Sequence, residues 1–367
     1  VKVLLANSER RLRGGELQTL SLAAGLEGLG CEVLIVARTG SALAVEASGR
    51  SRCETVRFEA IPVLSPPALA ALMARWRPDI LHAQTSTAHT HLWVARGLLR
   101  GAPPLVVSRR VAFPVHADPL SYLKYRTGVA HYLPISEAAA ASLGAIGVQR
   151  SRMTIVPSGV DVARFSVAGG DRTLLERWGI GEEDFVVGTV GAFEREKGHE
   201  MLIEAASIVI GKHPRVRFVL VGEGRLKESL ERAASERGLA GKVVLTKQSA
   251  PLERILPLFR VFVLPSLSEG LSTAILAALA AGLPVVASDV GGIPEAVTPE
   301  CGILVPPRDP ALLAQSVVRL VEDDLTRLRL SEGARRRAAR FDMAATVYKT
   351  MSVYRSVIEG LGGARES

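Results

Sequence analysis

Three short stretches of the 367-residue sequence carry residue types that could hold a phosphorylated ligand. The first, NSERRLRGGELQTL, sets Gly14-Gly15 before a helical pattern that begins near Glu16. Glycine lets backbone come close to a ligand, and a helix start offers unpaired N–H groups to an anion. The second, GAFEREKGHEMLIEA, puts Gly191 at a strand end and Arg195 and Lys197 in the loop before a helix. Fixed cations in that place suit a pyrophosphate. The third, PSLSEGLSTAILAALAAG, carries Glu269 ahead of a helix starting near Ser272-Thr273. An ionised carboxylate only accepts hydrogen bonds, so Glu269 suits sugar hydroxyls rather than phosphate. Taken singly, each stretch also reads as ordinary structure: a plain helix start, a solvated EREK loop, an acid capping a helix. Taken together, cations, helix ends and an acid fit a nucleotide-diphosphate sugar. The spacing is not the GxGxxG fingerprint, which argues against a dinucleotide enzyme.

These loops need strands and helices to position them. Short apolar runs (VKVLLA, EVLIVA, DILHA, PLVVS, HYLPIS) alternate with helical patterns in the first half. The second half repeats the alternation with FVVGTVG, VRFVLVG, KVVLT, VFVLPS and PVVAS. Continuous apolar strands alternating with helices predict parallel sheets covered on both faces. The turn-rich segment VPSGVDVARF (156–165) reads as an interdomain linker. The expected fold class is α/β, with two doubly wound Rossmann-like domains, 1–160 and 161–342, facing across a cleft. The last helical stretch, within 343–367, follows the second sheet and is expected to cross back to the first domain. In such sheets ligands bind beyond the carboxyl ends of the strands, where all three loops fall.

Composition narrows the class. With 48% hydrophobic and 22% charged residues the chain is globular rather than disordered. Cys31, Cys53 and Cys301 are widely spaced and form no CxxC pattern, which fits a reducing cytoplasm and neither a disulfide framework nor a zinc site. No basic-then-apolar leader opens the sequence, and ILAALAAGLPVVA is too short to span a bilayer. A cytoplasmic location is therefore expected. Residues 1–165 hold 19 Lys+Arg against 11 Asp+Glu, whereas the remainder holds 26 of each. The basic half reads either as contact with something anionic, such as a lipid headgroup or membrane surface, or as uninformative surface arginine. The basic residues are scattered and no aromatic-interleaved motif accompanies them, so no nucleic-acid partner is expected.

Over nearly its whole length the sequence closely resembles the retaining glycosyltransferases of family 4, which have the GT-B fold. The blocks that carry the resemblance include GGE (14–16), RPDILHAQ (77–84), PISEA (134–138), VPSGVD (156–161) and EKG (196–198). They continue with VGEG (221–224), LPSLSEGLSTAIL (264–276) and GLPVVASDVGGIPEAV (282–297). The resemblance implies transfer of a sugar from a nucleotide-diphosphate sugar to a glycan or glycolipid. No metal or cofactor is implied, the nucleotide sugar being a substrate. It places Gly14 and Gly15 against the donor phosphates or the acceptor, Gly191 among the donor-binding residues and Lys197 on the pyrophosphate. Glu269 would hold the donor sugar, with Gly270, Leu271, Ser272 and Thr273 at the phosphate. Lys247 and Gln248 would lie near the base.

Three positions depart from the family pattern. A second acid usually follows the first by eight residues, where this chain has Ala277. An arginine often follows the glycine at 191, where it has Ala192, and Arg195 is the nearby cation that could replace it. The usual histidine after the fifth strand is Arg110, within SRRVAFPVH. Arg110 joins Glu269 and Lys197 as an expected catalytic residue, and Arg109 and His116 are expected at the acceptor. The setting expected from the family is bacterial surface polysaccharide or lipopolysaccharide synthesis, with peripheral contact to an anionic membrane. The alternative is a nucleotide-sugar-binding protein of the same fold that has lost turnover. An epimerase of the fold is disfavoured by the SEG…GLPVVASDVGG block.

Overall fold

A computed structural model describes residues 1–59, 64–115, 119–167 and 169–363. The chain divides into two compact units, Val1–Gly159 together with Met343 onward, and Val160–Asp342.

The first unit is a six-stranded sheet of β1 (Lys2–Asn7), β2 (Glu32–Arg38), β3 (Arg52–Val56), β4 (Ile80–Ala83), β5 (Leu105–Arg109) and β6 (His131–Pro134). Its strand order is β3-β2-β1-β4-β5-β6, and every pairing is parallel. Alternate residues of β1 feed opposite faces. Val3 and Leu5 join one apolar cluster with Leu26, Val33 and Ile35, while Leu4 and Ala6 join another with Leu34, Leu81 and Val107. Burial on both faces is why these strands are apolar at every position rather than at every second one.

The last helix, Met343–Gly363, belongs to this first unit. It lies on the helix Gly14–Gly28 and adds Val347, Met351, Val353 and Tyr354 to the cluster around Val3. The approach is close. A Cβ on Gly25 would sit 2.4 Å from Val347 Cγ2, so this helix contact depends on a glycine.

The second unit repeats the plan with β7 (Phe185–Val190), β8 (Val216–Val221), β9 (Val243–Thr246), β10 (Val261–Leu264), β11 (Val285–Ser288) and β12 (Gly302–Val305). The order is β12-β11-β10-β7-β8-β9, again all parallel. Two edge strands, β3 and β12, are absent from the apolar runs picked out of the sequence. RCETV in β3 is mostly solvent-facing and polar, and GILV in β12 is only four residues long. An edge strand has one bonded neighbour and less apolar cover, so its sequence signal is weak.

Candidate active site

Each sheet has one point where the strand order reverses, and there the loops leaving two neighbouring strands diverge and leave a crevice. In the second unit that point lies between β7 and β10. The loop after β7 runs from Gly191 to Gly198 and the loop after β10 from Pro265 to Ser272. They are bound together: Leu267 N donates to Glu196 O at 2.8 Å, and Lys197 Nζ donates to Glu269 Oε2. The two charged side chains are 24% and 15% exposed, enough for a ligand to reach and little enough for charge to count. The ammonium has three donors and spends one on Glu269, leaving two for phosphate oxygens. Glu269 Oε2 also accepts weakly from Ser266 Oγ (3.4 Å), while Oε1 has no hydrogen bond among the described residues.

Glycines let these loops approach so closely. Gly198 has φ +66°, and a Cβ there would lie 2.1 Å from Pro265 O. A Cβ on Gly222 would lie 1.9 Å from Gly191 O, so the loop after β8 props the loop after β7 from behind. His199, 2% exposed, completes the support. Its Nε2 donates to Ala192 O at 3.2 Å, and it lies beside Gly191 and Lys197. Burial pushes its pKa down to about 4, against the pull of the Ala192 carbonyl, so it is neutral. Sequence reasoning passed over His199, although it directly follows the EKG block. Glu269 is followed by the start of the helix Thr273–Ala280, capped by Ser272 Oγ, which accepts from Ile275 N at 3.4 Å. The first N–H groups of a helix have no intrahelical partner, and here they belong to the segment Ser272–Ile275.

In the first unit the reversal lies between β1 and β4. The loops after these strands are joined by hydroxyls, Ser8 Oγ to Thr85 Oγ1 at 2.6 Å. The helix after β1 opens at Gly14, two residues ahead of the sequence expectation. Glu16 is buried within it; Oε2 accepts from Arg13 N (3.0 Å) and Oε1 from Asn7 Nδ2 (3.2 Å). Burial raises the Glu16 pKa against those bonds. Arg110, just past β5, is partly exposed and lies beside Gly15, where a Cβ would meet its Cδ at 3.9 Å. Arg110 Nη2 donates to Gln84 Oε1 at 2.5 Å, and its Nε is sealed from solvent with no partner among the described residues. Burial lowers its pKa to about 10 against the attraction of Glu16, and the guanidinium stays charged at neutral pH.

The remaining expected residues are distributed less tightly. Arg109, the last residue of β5, is 6% exposed and turns inward, donating to Phe113 O (2.6 Å) and Ser142 Oγ (3.4 Å). It is a structural contact in this state rather than a free acceptor ligand. His116 lies outside the described residues. Arg195 is exposed, in a single 3₁₀ turn that also contains Lys197. Lys247 and Gln248 are exposed just beyond β9, two strands away from β7. Gly270 and Leu271 are buried between Glu269 and the helix, with Thr273 half-buried. Ala277 is 4% exposed, so a longer side chain there needs its neighbours to move.

Residues 12–164 match the model described as Glycosyltransferase Family 4, and residues 184–323 match Glycosyl transferases group 1. The two matches together take in most of the chain, which belongs to these family 4, group 1 glycosyltransferases. A D-inositol 3-phosphate glycosyltransferase of Salinispora arenicola is 33% identical over 233 residues, 58% of this chain and 51% of the relative. The chain thus spans about half the length of the relatives it matches in sequence. Among solved structures, Anabaena HepE in complex with UDP-glucose superposes with TM-score 0.84 at 20% identity, covering 96% of this chain and 99% of that one. Sucrose-phosphate synthase from Thermosynechococcus elongatus superposes with TM-score 0.82 at 20% identity, covering 98% and 99%. The fold is of the GT-B type.

Proposed function

We propose that this protein transfers a sugar, with retention, from a nucleotide-diphosphate sugar to a hydroxyl of a glycan or glycolipid. The observation that carries the reading is the Lys197–Glu269 pair at the strand-order reversal of the second unit. The cation and the helix start at Thr273 would neutralise the departing pyrophosphate, and Glu269 Oε1 would accept from donor hydroxyls. In the reaction the bond from the anomeric carbon to the phosphate oxygen breaks. A bond to the acceptor oxygen forms on the same face, and the acceptor's proton passes to the leaving phosphate. The chain's own share is to stabilise that leaving group and to orient the acceptor. Arg110 and the loop at Gly15 in the first unit are the acceptor-side groups in this reading. Neither a metal nor an organic cofactor is needed for these steps.

Anabaena HepE has been solved with UDP-glucose, and the relatives in sequence are named for inositol 3-phosphate. These favour a uridine diphosphate sugar and an anionic acceptor as first trials here. The bacterial setting of surface polysaccharide or lipopolysaccharide synthesis, in the cytoplasm and at the membrane face, is part of the same proposal. Phe113, Leu120 and Leu123 are 55%, 60% and 50% exposed in a stretch that also carries the exposed Arg126. Apolar side chains beside a cation suit an anionic lipid surface. No helix among the described residues is long and apolar enough to cross a membrane.

The test is a thermal-shift panel of UDP, GDP, ADP, CMP and their sugar conjugates, run with EDTA throughout. A ligand at ~100 times its dissociation constant stabilises by about 2.7 kcal/mol. One nucleotide should stand out, and its sugar conjugate should turn over on octyl glucoside or inositol 3-phosphate. Ala277 favours a second reading, a protein that binds the nucleotide sugar without using it. A missing charged hydrogen bond is worth about 1.5–3 kcal/mol, roughly tenfold to over a hundredfold in affinity. A strong shift with no turnover on any acceptor selects that reading; no shift with any nucleotide sinks both.

A further inference from the structure

The first unit contains a chain of buried hydrogen bonds that the proposed chemistry leaves without a role. Arg110 Nη2 donates to Gln84 Oε1 (2.5 Å), and Gln84 Nε2 lies 3.0 Å from His82 Nδ1. The same Nδ1 lies 2.5 Å from the Tyr354 hydroxyl, and His82 Nε2 lies 2.8 Å from Ser108 Oγ. His82, Gln84 and Tyr354 are 1%, 2% and 0% exposed. Tyr354 comes from the C-terminal helix, far from the others in sequence.

The donors and acceptors can be ordered from one end. A guanidinium only donates, so the atom of Gln84 facing it is the carbonyl oxygen. The amide NH₂ of Gln84 must then point at His82 and donate. Nδ1 of His82 is therefore the unprotonated nitrogen, and Nε2 carries the hydrogen and donates to Ser108. The Tyr354 hydroxyl faces the same bare Nδ1 and donates to it, its 2.5 Å contact sharing the one lone pair with the longer 3.0 Å contact from Gln84. Burial and the charge of Arg110 hold the imidazole pKa down to about 3, and burial raises that of Tyr354, so both rings are neutral as this order requires. A proton on Nδ1 would set donor against donor at Gln84, and turning the amide would aim NH₂ at the guanidinium. The chain has one self-consistent direction.

We propose that Tyr354, His82 and Gln84 are positioning residues that hold the Arg110 guanidinium in one orientation over the Gly15 loop, so that the C-terminal helix takes part in the acceptor site. Holding an arginine in place beforehand removes the need to order it when an acceptor anion or hydroxyl arrives. The relevance to transfer rests on the reading of Arg110 given above, whereas the direction of the chain does not.

The experiment has two arms on the full-length protein. The first is the imidazole ¹⁵N spectrum of His82 with the Arg110 Nε–H signal. Wild type should show Nε2 protonated and Nδ1 bare. Gln84→Glu, which can only accept, should move the proton to Nδ1 and keep Arg110 held. Gln84→Met should broaden or lose the Arg110 Nε–H signal, and Tyr354→Phe, the mildest change, should weaken its protection. The second arm is transfer from the donor chosen by the nucleotide panel to octyl glucoside or inositol 3-phosphate. Tyr354→Phe should raise the acceptor KM ~3–10-fold and Gln84→Met more than tenfold, with the donor KM unchanged. The double variant should be no worse than Gln84→Met, because both act through one chain. Protonated Nδ1 in wild type overturns the proposal, as does an Arg110 signal indifferent to both Gln84→Met and Tyr354→Phe. Donor and acceptor KM moving together overturns it too, since a general loss of structure does that. If wild type transfers nothing, the functional reading fails while the spectra still decide the chain.

Discussion

The two units have the same six-stranded order, with the reversal at the same place, yet they tie their diverging loops together with different chemistry. In the second unit the tie is a full ion pair, Lys197 to Glu269, on side chains open to a ligand. In the first it is a hydroxyl pair, Ser8 to Thr85, with Arg110 held nearby by an amide. The fold supplies the crevice in both cases, and the side chains decide what it can hold. An ammonium with two spare donors beside a carboxylate suits a ligand carrying both phosphate and hydroxyls. Hydroxyls beside the amide-held Arg110, in a crevice whose first loop also carries the exposed Arg10, Arg11 and Arg13, suit a ligand with hydroxyls and negative charge.

The contrast breaks most easily at Lys197. Lys197→Met should lower kcat by about 10²–10³, the usual effect of removing one group that stabilises developing charge. Arg110→Met should cost less and act mainly on the acceptor KM. Steady-state kinetics with each substrate varied in turn will show this. A larger kcat loss at Arg110 than at Lys197 would reverse the assignment of the two units.

Glycines give the next largest difference. A Cβ on Gly222 would strike Gly191 O at 1.9 Å, whereas one on Gly15 would meet only Arg110 Cδ, at an ordinary 3.9 Å. Gly222→Ala should therefore destabilise by about 1–3 kcal/mol or more, because the obstacle is backbone. Gly15→Ala should hold or slightly raise the melting temperature, since alanine favours a helix by roughly 0.5–1 kcal/mol. Its expected loss is in transfer. A fall in stability at Gly15 would mean that the fold, not a ligand, demands that glycine.

Much of this was legible in the sequence, and the limits have physical causes. The loops that carry Lys197 and Glu269 were readable because each leaves a buried strand and runs into a helix, beyond the carboxyl ends where ligands bind in such sheets. The central strands were readable because burial on both faces leaves no polar position. Arg109 was misplaced since adjacent arginines look alike in one dimension, while strand alternation sends one inward to Phe113 and Ser142 and leaves the other near Gly15. Gln84 and Tyr354 gave no signal, because their partners lie at positions 110 and 82, and sequence spacing says nothing of contacts between distant strands and a returning helix. Ala277 was readable as a missing acid but not as a buried methyl.

Each unit also buries a neutral histidine, His82 with a pKa near 3 and His199 with one near 4. Above pH ~6.5, the ordinary unfolded value, neither state protonates them and pH has no effect through them. As pH falls below that, the unfolded chain takes up protons the fold refuses, so stability is lost. Each residue costs about 1.4 kcal/mol per pH unit, down to its folded value. His199→Asn and His82→Asn should each make the fall in melting temperature between pH 6 and pH 4.5 shallower. If only one does, burial is weaker in the other unit than the structure shows.

The smallest expected effect is at Arg195, and it sharpens the picture of the loop after β7. Arg195 and Lys197 share one 3₁₀ turn, but Lys197 is half-buried against Glu269 while Arg195 is exposed. Solvent screens an exposed charge, whose interactions are typically worth about 0–1 kcal/mol and fade with salt over a Debye length of about 8–10 Å. Arg195→Ala should therefore raise the donor KM less than about fivefold at low salt and hardly at all at 0.5 M, with kcat unchanged. A salt-independent loss of tenfold or more would mean that Arg195 swings onto the pyrophosphate when the donor binds. It would then supply the charge missing at Ala192, and the second unit would hold its ligand with two cations rather than one.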